Sequence, residues 1–148
     1  MNPTHLADTL AVVGVANPGT VNSTPKVSGA IAAKTGVMYL AIFALGDMAA
    51  ETIDMGIQSV DSDGTSNAAD ITGLQATQLA AHATNNDNKQ IVIAFDGTDL
   101  IASGKSHFRV RMVTGNTTGG AGSCVVVAVP RYGPAEGADL ASVVQVIK

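Results

Sequence analysis

The segment Gly104-Lys105-Ser106, preceded by the apolar run Ile91–Phe95, has the residue types of a phosphate cradle. A phosphate-binding loop ends Gly-Lys-Ser/Thr, follows a strand and opens a helix, so that backbone N–H groups hold the anion. The spacing argues against it here. The motif needs its first glycine at position 99, which is Asp99, and the nearest glycine, Gly97, comes two residues early. A carboxylate at 99 would stand beside the phosphates. The residues that follow alternate: Phe108, Val110 and Met112 against His107, Arg109 and Arg111. Period two is a half-buried strand, not a helix. The stretch is therefore expected to run strand, turn, strand.

Asp61-Ser62-Asp63-Gly64 suggests a calcium loop. An EF-hand needs a third acidic position before its glycine and a glutamate at its twelfth, and both are missing. Asp-Gly is also a common turn pair. A turn is expected, with an incidental cation at Asp61, Asp63 and Asp70 as the alternative. Nucleophilic catalysis has no visible foundation. There is no Gly-x-Ser-x-Gly elbow, His5, His82 and His107 are widely spaced, and Glu51 and Glu136 stand alone. No catalytic, cofactor-binding or metal-ligating residue is assigned, no cofactor is expected, and the chain is expected not to be an enzyme. The single Cys124 excludes an internal disulfide and, within Ser123-Cys124-Val125-Val126-Val127, reads as a buried thiol.

The elements that would position such residues follow from the rest of the chain. Its 148 residues suit one domain. Hydrophobic residues reach 46%, but aromatics only 3%, so the core is expected to rest on Val, Ile, Leu, Ala and Met. Charged residues are 14%, well under the usual quarter, which suggests a surface partly covered by partners. The net charge is −4 and the eight Lys and Arg are dispersed, so no basic patch is available for nucleic acid. The start "MNPTHLADTL" lacks the positive region of a signal peptide, and the apolar run 36–46 is too short to cross a bilayer. No membrane partner is expected, and the chain is expected to be made in a cytoplasm and to stay soluble.

Candidate strands are 27–33, 36–45, 51–60, 89–96, 106–114, 122–130 and 141–147, with a weaker one at 70–79. Gly-, Asp- and Asn-rich turns separate them. This pattern predicts an all-β domain, a β-sandwich or jelly-roll, over 27–148. The continuous run "SCVVVAV" predicts a central strand covered on both sides. The segment 74–83 is ambiguous between helix and strand, and 114–123 reads as an exposed contact loop or a flexible one. Asn22-Ser23-Thr24 and Asn116-Thr117-Thr118 fit a glycosylation pattern, which carries no weight without a secretory signal.

Residues 1–26 read as an N-terminal arm. A short helix fits 5–14, with Leu6, Leu10 and Val13 on one side, and Pro18, Gly19 and Pro25 then mark an extended segment. Such an arm packs either on its own domain or on a neighbour. In the second case its apolar residues Leu6, Leu10, Val12, Val13, Val15 and Val21 are the candidate capsid or subunit contacts.

Three stretches, 57–79, 86–112 and 127–146, resemble in order and spacing a group of small head structural proteins of tailed bacteriophages, which includes capsid decoration, or cement, proteins. The matching residues are Gln58, Asp61 or Asp63, Gly64 and Asp70-Ile71-Thr72-Gly73. Next come Asn86 to Gln90, then His107-Phe108-Arg109-Val110, and last Pro130-Arg131-Tyr132-Gly133-Pro134. The likeness spans about residues 36–147 and carries no catalytic residues. It implies a virion protein on the capsid exterior, bound to the major capsid protein and to copies of itself, as a trimer. A head–tail or tail component is the alternative within the virion. A carbohydrate-binding β-sandwich module is the alternative outside it; that would need exposed aromatics, and Tyr132 is the one aromatic placed to stack on a sugar.

Overall fold

The computed structural model of the chain describes residues 10–48, 52–76, 87–115 and 119–130. Alternation sets its layers. In β4 (Val37–Leu45), Tyr39, Ala41, Phe43 and Leu45 are buried while the residues between them are half-buried or exposed. In β8 (His107–Thr114), Phe108, Val110, Met112 and Thr114 are buried in the same rhythm. Side chains two apart share a face of a strand, so each strand offers one face to the core.

The remaining elements are β1 (Ala11–Val21), β2 (Lys26–Val27), β3 (Ile31–Ala32), β5 (Ile53–Ser59), β6 (Ala69–Gln75), β7 (Gln90–Asp96), β9 (Gly120–Pro130) and the short helix α1 (Gly97–Ala102). One sheet has the order β1-β9-β4-β7, the other β2-β8-β5-β6 with β3 also paired to β8. Every pairing is antiparallel. The chain is an all-β sandwich, as its turn spacing predicts. The expected strand 27–33 divides into β2 and β3 around Ser28, whose hydroxyl accepts from the Val110 N–H at 3.1 Å. The expected strand 141–147 lies outside the described residues.

The core holds the expected Val, Ile and Met, but the few aromatics are concentrated in it. Tyr39, Phe95 and Phe108 form a trio with ring centroids 4.8–5.5 Å apart. The Tyr39 hydroxyl accepts from the Lys34 N–H and donates to the Ala32 carbonyl, both at 3.1 Å, so its burial leaves no polar atom unsatisfied.

Two expectations need correction. Residues 11–14 are not helical: residues 11–21 form β1, registered on β9 from Ala11 opposite Ala128 to Val21 opposite Gly120, so this part of the expected arm packs on its own domain, the first of its two readings. Pro18-Gly19 does not end the strand, because an irregularity between Ala16 and Gly19 absorbs it and β1 lies at the sheet edge. Proline is tolerated at such a place. Strand β9 is central, as predicted, but covered on one side only among the described residues. Cys124, Val126 and Ala128 are buried, while Val125, Val127 and Val129 on the opposite face are half-exposed.

Candidate interaction surface

Two amides of the Gly-Lys-Ser segment, those of Gly104 and Lys105, are already engaged. Asp96 caps α1 by accepting from the Thr98 N–H at 2.8 Å, and the six-residue helix runs into the segment rather than out of it. This helix replaces the simple turn expected there. Gly104 has φ +81°, and the N–H groups of Gly104 and Lys105 donate to the Ile101 and Leu100 carbonyls, each at 2.9 Å. These bonds close the helix C-terminus. The macrodipole also presents its negative end here, the wrong sign for a phosphate.

The Asp61–Gly64 segment is a turn. The Asp63 carboxylate accepts from the N–H groups of Thr65 and Ser66, each at 2.8 Å, and from the Ser66 hydroxyl. Asp61 accepts from the Asn67 amide at 2.8 Å. Among the described residues no three His, Cys, Asp or Glu side chains converge as metal ligands. The bonds from Ser66 and Thr65 hold the Asp63 carboxyl down at about 2. Its contribution to turn order is therefore complete above the ordinary carboxylate range and lost as pH falls through about 2. A carbon-detected NMR titration should place the Asp63 midpoint near 2, with the Thr65 and Ser66 amides shifting in step. A midpoint at the ordinary carboxylate value would refute the turn geometry.

Gln58, Gly64, Asp70 and Arg109 meet on the outer side of the second sheet. Arg109 donates through Nε and Nη2 to the Gln58 Oε1 at 3.0 and 2.9 Å, and through Nη1 to the Gly64 carbonyl at 2.7 Å. Gln58 in turn donates to Asp70 at 2.9 Å. The network ties the β5–β6 turn to β8. A cleft of about 540 Å³ lies between β6, β7 and α1, with Ile71, Leu74, Phe95 and Leu100 among its walls. Its polar lining is Asp70, Thr72, Asp96, Asp99, Ser103 and Lys105; of these, Asp70 is bound to Gln58, Asp96 to the α1 N-terminus, and the Ser103 hydroxyl donates to the Leu100 carbonyl.

The first sheet differs sharply on its outer side. The register aligns Val12, Val127, Leu40 and Ala94 in one row across β1, β9, β4 and β7. The next row is Val15, Val125, Ile42 and Val92. None of these eight is polar, and each alternates along its strand with residues that pack inward. Met38 and Val129 extend the surface at one end, beside Asp96. Met38 is 37% exposed and Val92 58%. The two central rows carry no charge.

No protein-family model and no curated protein matches this chain.

The candidate contact residues separate on this geometry. Val12 and Val15 lie in the outer rows. Val21 is fully buried and Val13 packs against the core, so both belong to the domain's interior. Leu10 is half-buried just before β1, and Leu6 lies outside the described residues. The sequence reasoning did not select Leu40, Ile42, Val92, Val125 and Val127. The usable signal was there: β4 and β9 are apolar at both parities, which a strand with one wet face has no reason to be. The cluster of aromatics bears on the carbohydrate alternative, because Tyr39, Phe43, Phe95 and Phe108 are all buried and none is available to stack on a sugar. Tyr132 lies outside the described residues.

Cys124 faces the core beneath these rows. Burial pushes its thiol up to about 12. Thiolate is the reactive form, so native protein at pH 8 should resist alkylation by iodoacetamide and label only on unfolding. Rapid labelling without unfolding would show that the β4–β9 face opens.

Proposed function

We propose that this chain is a structural protein of a tailed-phage virion that decorates the outside of the capsid and stabilises it. It acts by laying apolar β surface against other subunits, and it transforms no substrate. The observation that carries the reading is the outer face of the first sheet: eight apolar side chains in two uncharged rows. Val92 and Ala94 are exposed and the other six half-buried, so the face has apolar area still to bury, and contiguous apolar surface open to water marks interaction sites. The likeness of Gln58, Gly64, Asp70 and Arg109 to phage head proteins supplies the biological setting. Binding only to the assembled shell raises the cost of separating its subunits, and copies bound together add avidity. The major capsid protein is the proposed partner, with the decorating unit an oligomer of three copies.

Quantitative mass spectrometry of purified particles tests this. The chain should be present in hundreds of copies and leave with the heads when tails are removed. A dozen or so copies would assign it to a head–tail ring instead, since ring components follow low cyclic symmetry. Absence from particles would end the proposal.

A further inference from the structure

We propose that the free edge of β7, with the cleft beside it, binds an extended segment of a partner polypeptide, apolar at alternate positions and carrying Lys or Arg at its ends. The segment adds as a strand to the first sheet. This surface is separate from the outer face of that sheet, and the inference does not depend on the capsid reading.

The edges of the sandwich are not alike. An unpaired strand edge is a template for another chain, and folded domains blunt it with bulges, proline, charge or short length. β1 has two register irregularities and Pro18. β2 and β3 are two residues each. β6 breaks its register against β5 and holds Gly73 at φ +83°. β7 has none of these devices. It pairs with β4 in unbroken register, contains no proline and no charge before Asp96, and is the last strand of its sheet among the described residues. A regular edge of backbone donors and acceptors selects an extended polypeptide over a small molecule.

The room beside this edge is made by β6. On one side of the sandwich β1 packs on β2 and β8, whereas on the other the cleft separates β6 from β7. β6 pairs at Asp70 with Gln58 and at Gln75 with Gly56, so residues 71–74 bow out opposite Ile57 alone. Gln75 holds the bow: its side-chain amide donates to the Ile57 carbonyl at 2.7 Å and to the Ile71 carbonyl at 3.3 Å. Gly56 admits that amide, since a Cβ there would overlap it. Bulges at a sheet edge commonly re-aim side chains toward a site.

The bowed segment brings Ile71, Thr72 and Leu74 to the cleft, together with Phe95 and Leu100. Alternate side chains of an added strand point the same way, so apolar ones at every second position rest on these walls. The lining also holds three carboxylates, Asp70, Asp96 and Asp99, against the one ammonium of Lys105. Its formal charge is negative, which favours basic ends on the guest and rejects acidic ones.

The test is an NMR titration of the isotope-labelled full chain with the capped peptide Lys-Val-Thr-Val-Thr-Val-Lys. Saturable shifts are expected in the amides of β7, residues 71–74 and α1, with Val125 and Val127 unmoved. Exchanging both Lys of the peptide for Glu should weaken binding about tenfold or more. Asp99→Lys, at an exposed position of α1, should weaken the Lys peptide and improve the Glu peptide while leaving thermal unfolding nearly unchanged. N-methylation separates strand pairing from side-chain contact. Every second N–H of an added antiparallel strand bonds to its neighbour, so methylating either the Val or the Thr amides should abolish binding and methylating the other set should be tolerated. No saturation by about 1 mM peptide would overturn the proposal, as would shifts confined to other surfaces or an equal effect of the two methylated sets. Protection from hydrogen exchange, without peptide, of the β7 amides that point away from β4 would overturn it too, because residues 131–148 or a second copy would then hold the edge.

Discussion

Phe108→Ala is expected to lower the stability of the domain by about 4 kcal/mol. Phe108 is fully buried and packs edge-on against two rings, Tyr39 at 4.8 Å and 68° and Phe95 at 5.0 Å and 90°. Those rings come from the first sheet, through β4 and β7, whereas Phe108 comes from the second. The trio is thus a direct bridge between the layers. Truncation removes the transfer free energy of a benzyl group, two aromatic pair interactions of about 0.5–1.5 kcal/mol each, and leaves a cavity that two rigid sheets cannot collapse to fill. For a domain of this size the loss corresponds to a fall in Tm of roughly 8–16 °C. Phe108→Leu, which keeps most of the volume, should cost clearly less. Equal losses for both variants would mean that the rings matter and the cavity does not. Differential scanning calorimetry distinguishes these outcomes.

Most of the sandwich was legible in the sequence, because period-two alternation with Gly and Asp punctuation reports the strands directly. The strands β4, β5, β7, β8 and β9 lie within a few residues of their expected bounds. The exceptions have physical causes. Residues 11–21 contain Pro18 and Gly19, which locally signal a break, yet an edge strand tolerates both because its outer N–H groups need no ladder partner. Whether a segment joins its own sheet is decided by a long-range pairing, here β1 with β9 over a hundred residues away, and no local pattern reports that. The helix α1 was missed for the opposite reason. Six residues are too few to show helical periodicity, and the element exists because Asp96 caps it and Lys105 closes it.

The apolar outer face of the first sheet was half legible. The sequence reasoning named candidate contacts on an arm of apolar residues; two of those, Val12 and Val15, have their places in the outer rows. The rest of that face comes from β4, β7 and β9, brought into rows only by register. An apolar run such as Val125-Val126-Val127 says that both faces of a strand avoid water. It does not say whether the second face is covered from within the chain or from outside it. The two outer faces of this sandwich answer differently. One carries the Arg109–Gln58–Asp70 network and can stay wet. The other, in the rows through Ile42 and Leu40, offers water nothing to bond. That asymmetry is the observation on which the proposed assembly role rests.

Gly97→Ala tests how tightly the α1 loop is moulded onto the sandwich, and its sign is the point. Alanine within a helix is normally favoured over glycine by about 1 kcal/mol. At Gly97 a Cβ would overlap the Lys34 carbonyl oxygen and stand 2.9 Å from the Tyr39 ring. Neither neighbour can yield cheaply. Lys34 is held by its N–H bond to the Tyr39 hydroxyl, the ring belongs to the aromatic trio, and Gly36 is tied to Thr98 at 2.9 Å. Overpacking of this kind costs about 1–3 kcal/mol, enough to exceed the helix preference. Gly97→Ala should therefore destabilise the domain by about 2 kcal/mol. Gly104→Ala gives the contrast: its φ is +81° but nothing lies within 4 Å of the added carbon, so only backbone strain of about 1 kcal/mol applies. Urea unfolding curves of the two variants should rank Gly97→Ala below Gly104→Ala. The reverse order would show that the loop between β7 and β8 sits further from β4 than its contacts require, and that the Gly-Lys-Ser segment has freedom its engaged amides deny it.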